Sequence, residues 1–260
     1  MDALGWEQAD VILFSGDAYI DHPSFGAAVI GRILESAGYK VAIVPQPNWR
    51  DDLRDFKKLG EPRLFFAVTS GSMDSMVNHY TANKRLRSDD AYTPGGKSGF
   101  RPDYAVNVYS NIIKQLFPET PLVLGGVEAS LRRLTHYDFW KDELLPSILL
   151  SSKADLLVYG MGERTIVEVA HLLNSGKSIN TISNLPQTAF YTNREDDYSI
   201  DNETIVLNSF EECLKSPRKF GQNFMHIEVE SNKLESNRLI EPAEDGYVIV
   251  NQPQIGRAHV

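Results

Sequence analysis

Two short apolar runs end in glycines and an acidic residue: LVLGGVE at 122–128 and LLVYGMGE at 156–163. Glycine lets a strand exit sharply and lets backbone approach whatever lies above it. A helix starting there points free amides at the same place, which suits an anion or a polar ligand. Gly125, Gly126, Glu128, Gly160, Gly162 and Glu163 are therefore the first candidate site residues. A third turn, SGDAYIDHP at 15–23, adds Asp17, Asp21 and His22, residue types that capture ligands or move protons. Each has a structural alternative. Asp21 or His22 before Pro23 suits the cap of a helix. Glu128 suits the first turn of a helix through its macrodipole.

Other constellations carry less. Neither glycine turn completes G-x-G-x-x-G, and PGGKSG at 94–99 lacks the spacing of a phosphate loop. Arg132 and Arg133 precede the aromatic run HYDFW at 136–140, a combination that holds a phosphate or a stacked ring, or else packs as an amphipathic helix. His79 and Asp74 lie close together without a metal-ligand spacing, so no metal site is expected. A free-standing hydrolase built on Asp17, Asp21, His22 or His136 lacks a nucleophile elbow, and no catalytic residue is assigned.

These turns need a scaffold. Apolar runs at 10–15, 40–44, 63–68, 121–124 and 155–159 alternate with helical patterns at 25–37, 51–59, 103–116, 128–150 and 163–174. That rhythm predicts an α/β fold: a flavodoxin-like three-layer αβα domain over residues 1–180, with a five-stranded parallel sheet in the order 2-1-3-4-5. Residues 73–102 are polar and irregular, a connection long enough to carry function. Beyond 180 the rhythm stops. A strand at 188–192, helices at 200–212 and 217–230, and a hairpin over 239–250 predict a small α+β appendage at 181–253. Residues 254–260 complete no element and read as an appended tail.

The totals set limits. Lys plus Arg is 26 against 35 Asp plus Glu, a net charge of −9. An acidic chain is a poor nucleic-acid binder. No apolar run approaches the ~18 residues of a membrane span, and the N-terminus lacks the apolar core of a signal peptide. Cys213 is the single cysteine. It cannot form a disulfide within the chain or hold a cluster alone, and it places the protein in the reducing cytoplasm.

The strings HPSFGAAVIGRILESAGYKVAIVPQPNW at 22–49 and PDYAVNVYSNIIKQLFPETPLVLGGVEASLRRLTHYDFWKDELLPSILLSSKADLLVYGMGERTIVEV at 102–169 closely resemble the N-terminal region of YgiQ-type radical SAM proteins. The resemblance covers roughly residues 9–253. It implies a flavodoxin-like leading domain followed by a radical SAM barrel in the same polypeptide. There a C-x3-C-x2-C run holds a [4Fe–4S] cluster, and S-adenosylmethionine is cleaved to a 5′-deoxyadenosyl radical. This sequence has no such run, so those cofactors belong to the longer parent and the present chain is expected to be inactive alone. The two glycine turns are also similar to those of cobalamin-binding domains, which leaves cobalamin or a nucleotide open as a small-molecule partner. The D-x-H-x-x-G motif of cobalt-ligating domains is not met: Asp21 directly precedes His22, and Gly26 lies four residues later.

Overall fold

In the computed structural model, which describes residues 2–201 and 203–253, the elements follow the predicted alternation as far as residue 124. They are β1 (Val11–Ser15), α1 (Gly26–Ser36), β2 (Val41–Pro45), α2 (Arg54–Lys57), β3 (Phe65–Thr69), α3 (Ser75–His79), α4 (Ala105–Leu116) and β4 (Leu122–Leu124). Next come α5 (Gly126–Leu131), a hairpin of β5 (His136–Asp138) and β6 (Glu143–Leu145), α6 (Ile148–Ser152), β7 (Leu156–Val158) and α7 (Glu163–Asn174). The chain continues through β8 (Thr188–Thr192), β9 (Thr204–Val206), α8 (Phe210–Lys215), α9 (Pro217–Ser231), β10 (Arg238–Ala243) and β11 (Gly246–Val250).

Alternation along the strands builds three layers. In β1, Ile12 and Phe14 pack on one face with Phe66, Leu122, Tyr109 and Ile113. Val11 and Leu13 pack on the other with Phe65, Val123, Leu34 and Val169. Both faces are apolar because helices cover both, as a parallel sheet requires. The parallel strands stand in the order β2-β1-β3-β4-β7, the predicted order with a hairpin inserted before the fifth strand.

Among the described residues the sheet has nine strands, where the sequence predicts five. The later strands join the same sheet, in the order β8-β11-β10-β9 beyond β7. β8 runs antiparallel to β7, and β11 antiparallel to β8. Two helix assignments also change. The stretch 128–150 is not one helix: the Asp138 carboxylate accepts from the Lys141 amide at 2.8 Å, and Asp142 takes a left-handed φ of 59°, which closes a hairpin turn. The stretch 200–212 is a strand and then a helix. Thr204, Ile205 and Val206 are β-branched and pair with Arg238–Ile240. Ser209 and Glu212 then form a capping box that starts α8.

The polar segment 73–102 is fastened down. The Arg101 side chain is fully buried, with Nη1 3.0 Å from Asp17 and Nη2 3.2 Å from Asp90. It also donates to the Ser70 carbonyl at 2.8 Å. The Trp49 indole donates to the Phe100 carbonyl, and the Ala18 amide to the Tyr92 carbonyl. The segment is thus tied to the loops after β1, β2 and β3. The sequence reading of residues 254–260 falls outside the described residues. No described helix is long and apolar enough to cross a membrane.

Candidate functional site

The exits of β1, β3, β4 and β7 meet at the carboxyl edge of the sheet, where a cleft of about 280 Å³ opens between the N-termini of α1 and α7. Open α/β sheets bind ligands at this edge. Gly125, Gly126, Gly160, Gly162 and Glu163 all line the cleft, joined by Thr69 and Gly71 from the β3 exit. Aliphatic side chains, among them Leu13, Ala67 and Val123, complete it, and among the described residues Glu163 is its only ionisable one. The cleft therefore offers a charged ligand little beyond backbone amides.

The glycines are not equivalent. Gly126 has φ +85°, and a Cβ there would lie 2.4 Å from Thr69 Oγ1. Gly162 would place a Cβ 2.4 Å from Val158 Cγ1. Packing within the protein already demands glycine at both. At Gly125, φ is −157° and the nearest atom to a Cβ is the Val158 carbonyl oxygen at 3.7 Å. Gly126→Ala is therefore expected to cost about 1–3 kcal/mol, whereas Gly125→Ala stays within about 1 kcal/mol. Urea unfolding of the two variants checks the contrast. Equal losses at both positions would contradict it.

Asp17, Asp21, His22 and Glu128 lie apart from the cleft. Asp17 is buried beneath the β3 exit, accepting from the Ser72 amide and facing Arg101. Burial pushes its carboxyl above the usual value, against the opposing pull of those partners. Asp21 sits on the surface in a two-pronged pair with Arg32, whose hydrogen bonds lower its pKa. His22 is exposed and its Nδ1 accepts from the Ser24 amide. Neither caps the helix: α1 starts at Gly26 behind Phe25, with no side-chain cap. Glu128 is fully buried and accepts from the Ser75 amide at 2.8 Å and the Val106 amide at 3.0 Å. It staples the first turns of α3 and α4. Burial raises its pKa, opposed by the nearby Arg132.

The iron–sulfur cluster does not fit the residues present. Cys213 is 1 % exposed, its sulfur accepts from the Asn223 amide nitrogen at 3.3 Å, and burial pushes the thiol up to about 11. No group of three His, Cys, Asp or Glu residues that could hold a metal exists among the described residues. Cobalamin fits in part only. The cleft is near the small end of ligand pockets and has room for a base-sized group, not a corrin ring. Among the described residues no histidine lines it.

A larger cavity of about 610 Å³ lies between the β5–β6 hairpin and α9. It is lined by Arg132, Arg133, His136 and Trp140, which the sequence had flagged, and by Phe220, Phe224 and Ile227 of α9. The contribution of α9 is invisible in sequence because it comes from 80 or more residues away.

The family described as Radical SAM N-terminal matches residues 1–259. A UPF0313 protein of Porphyromonas gingivalis is 57 % identical over 254 residues, which are 97 % of this chain and 40 % of that protein. One from Bacteroides thetaiotaomicron is 56 % identical over 264 residues, again 97 % of this chain and 42 % of the relative. The chain thus spans about two-fifths of the length of these relatives. Among solved structures, the radical S-adenosylmethionine methyltransferase TsrM of Kitasatospora setae, with tryptophan substrate and a SAM analogue bound, overlays 72 % of this chain and 28 % of its own, at 18 % identity and a TM-score of 0.46. The match over nearly every residue, together with two relatives above half identity, makes this chain a member of the Radical SAM N-terminal family.

Proposed function

We propose that this chain is the leading domain of a radical SAM iron–sulfur enzyme, that it shapes or covers the active site of a barrel later in the same polypeptide, and that it is catalytically silent alone. One observation carries this reading. β11 runs parallel to β7, since each is antiparallel to β8. Its end therefore points to the same carboxyl edge as the glycine turns. Asn251 and Gln252 are anchored there: the Tyr159 hydroxyl donates to the Asn251 carbonyl, and the Gln187 amide donates to the Gln252 carbonyl. Tyr159 immediately precedes Gly160, so residues 251–253 leave the sheet beside the GMGE turn. Residues following Pro253 in the longer relatives would begin at the edge they are proposed to share. The family match and the partial span of the relatives support the same reading. The cluster and S-adenosylmethionine would be held by the later part, and a single thiol suits the cytoplasm.

Two measurements test it. Anaerobic reconstitution with iron and sulfide should leave this chain without a cluster, whereas the longer natural polypeptide should take one up. Hydrogen exchange at residues 125–127 and 160–162 should be at least tenfold slower in the longer polypeptide. Equal exchange in both would remove the covering role. A stoichiometric cluster on this chain would remove the assignment altogether.

The cleft itself supports a second reading, a binding module for the base of a nucleotide or of cobalamin's nucleotide tail. Its apolar floor and glycine rim are the favouring observation. Ala27 lines it from α1, so Ala27→Phe should abolish calorimetric binding of adenosine or hydroxocobalamin without touching Gly126. Flat titrations of the parent chain would dismiss this reading.

A further inference from the structure

Helix α9 has its polarity reversed for a surface helix. Such a helix normally turns an apolar face to the core and a polar face to water. The side chains that α9 buries are Asn223 and Glu230. Both are bonded inward: the Asn223 side-chain oxygen accepts from the Asn208 amide at 2.8 Å, and Glu230 accepts from the Asn237 amide at 2.7 Å. Phe224, Met225 and Val229 instead face outward, exposed by 57 %, 53 % and 49 %. Phe220, Phe224 and Ile227 stand at i, i+4 and i+7, so they share a helix face, and they form one wall of the 610 Å³ cavity. Leu131 of α5 and Tyr137 and Phe139 of the hairpin also line it, and all three are exposed.

The open surface of this groove is mostly hydrocarbon. Arg132 and Asp138 are buried behind it, and Arg132 is paired with Asp74. An apolar surface left in water is unfavourable and marks a contact with protein. A groove walled by a helical stripe suits an amphipathic segment laid along it. The path of the chain says which segment. The Tyr159 hydroxyl donates to the Asn251 carbonyl, and the Arg133 guanidinium lies over the Tyr159 ring at 4.9 Å. Arg133 and Leu131 both line the groove, and between them the Ser130 hydroxyl oxygen accepts from the Gly160 amide at 3.3 Å. Residues 251–253 therefore leave the sheet little more than the lengths of Tyr159 and Arg133 from the groove. A few extended residues, at about 3.4 Å each, span that gap. The relatives carry roughly three-fifths of their length outside the matched region. A segment tethered so close meets the groove at an effective concentration on the order of mM, above that of a free second copy.

We infer that the polypeptide following Pro253 in the longer natural protein packs an apolar segment into the groove between α9 and the β5–β6 hairpin, against Phe224, Leu131 and Phe139. The inference rests on the reading that a further part of the same polypeptide follows, and it assigns that part a second face. The groove is separate from the cleft at Gly125 and Gly126, with which it shares no lining residue. The reversed polarity of α9 then has a cause: its outward stripe is core in the longer protein.

The test is hydroxyl-radical footprinting of this chain and of the longer natural polypeptide. Oxidation of Phe224 and Met225 should be at least tenfold slower in the longer polypeptide. Equal oxidation in both overturns the inference, and protection confined to residues 125–127 and 160–162 would then leave the covering role standing without it. Protection at α9 with none at those turns keeps the inference and removes the covering role alone. Protection that vanishes on dilution of the longer polypeptide assigns the face to a second copy and overturns the inference. Phe224→Glu supplies an independent measurement. It should leave the melting midpoint of this chain unchanged, because the side chain is exposed here, and should speed proteolysis just after Pro253 in the longer polypeptide at least tenfold. Equal cleavage of parent and variant likewise overturns the inference.

Discussion

Arg101→Met is expected to destabilise the protein by about 3–5 kcal/mol, the cost of leaving buried carboxylates without their cation. For a chain of this size that is a fall in Tm of roughly 10 °C. Arg101 is the largest fully buried side chain among the described residues, and it faces two carboxylates that are themselves buried, Asp17 and Asp90. One guanidinium thus neutralises the loop after β1 and the polar segment 73–102 together, while its bond to the Ser70 carbonyl ties both to the β3 exit. Methionine fills similar space but leaves two negative charges facing each other in low dielectric. Adding Asp17→Asn and Asp90→Asn should return part of the loss, because removing a whole buried ionic group costs far less than removing one member. The single variant should also become cleavable by protease within 73–102. A midpoint within about 2 °C of the parent would mean the cluster contributes little.

Much of this architecture is legible before any coordinates. The five parallel strands follow from apolar runs alternating with helical patterns, because a strand covered on both faces must be apolar throughout; their order is the one expected of a flavodoxin-like sheet. The convergence of Gly125, Gly126, Gly160, Gly162 and Glu163 follows from the same topology, which brings every βα turn to one edge. The failures have definite causes. Thr204–Val206 is three residues long, too short for period-two alternation to register, and its partner Arg238–Ile240 lies more than 30 residues on. The hairpin at 136–145 resembles a helix in sequence because His136, Phe139 and Trp140 have helical i, i+3, i+4 spacing, and only Asp138 and Asp142 signal a turn. Arg101 is an ordinary charged residue in a polar stretch until folding brings Asp17 from 84 positions away. Charge pairing across such separations leaves no local mark in the sequence. Asp17 and Glu128 illustrate the reverse case: carboxylates in the expected turns whose side chains serve the frame and not the cleft.

Glu241 predicts an unusual dependence of stability on pH. It lies on β10, 1 % exposed, and both carboxylate oxygens accept from the Thr135 amide, at 3.0 and 3.1 Å, with the Thr135 hydroxyl 3.0 Å from Oε1. Burial drives its pKa from an ordinary 4.5 up to about 7, more than the Thr135 bonds can offset. The folded state therefore holds the proton more tightly than the unfolded state. Its stabilising contribution is complete below pH 4.5 and is lost as pH rises through about 7. One pH unit between those values is worth about 1.4 kcal/mol, so the loss is on the order of 3 kcal/mol. Surface carboxylates such as Asp21, whose pKa is lowered by Arg32, act in the opposite sense but at more acid pH, below their ordinary value of 3.8. Urea unfolding at pH 5 and pH 8 should thus show the protein more stable at pH 5. Glu241→Gln keeps an acceptor for Thr135 and cannot ionise, so the difference should shrink by about 2–3 kcal/mol, the share assigned to this one carboxyl. A variant that preserves the full difference would place the buried charge elsewhere, with Asp17 and Glu128, both also raised, as the remaining sources.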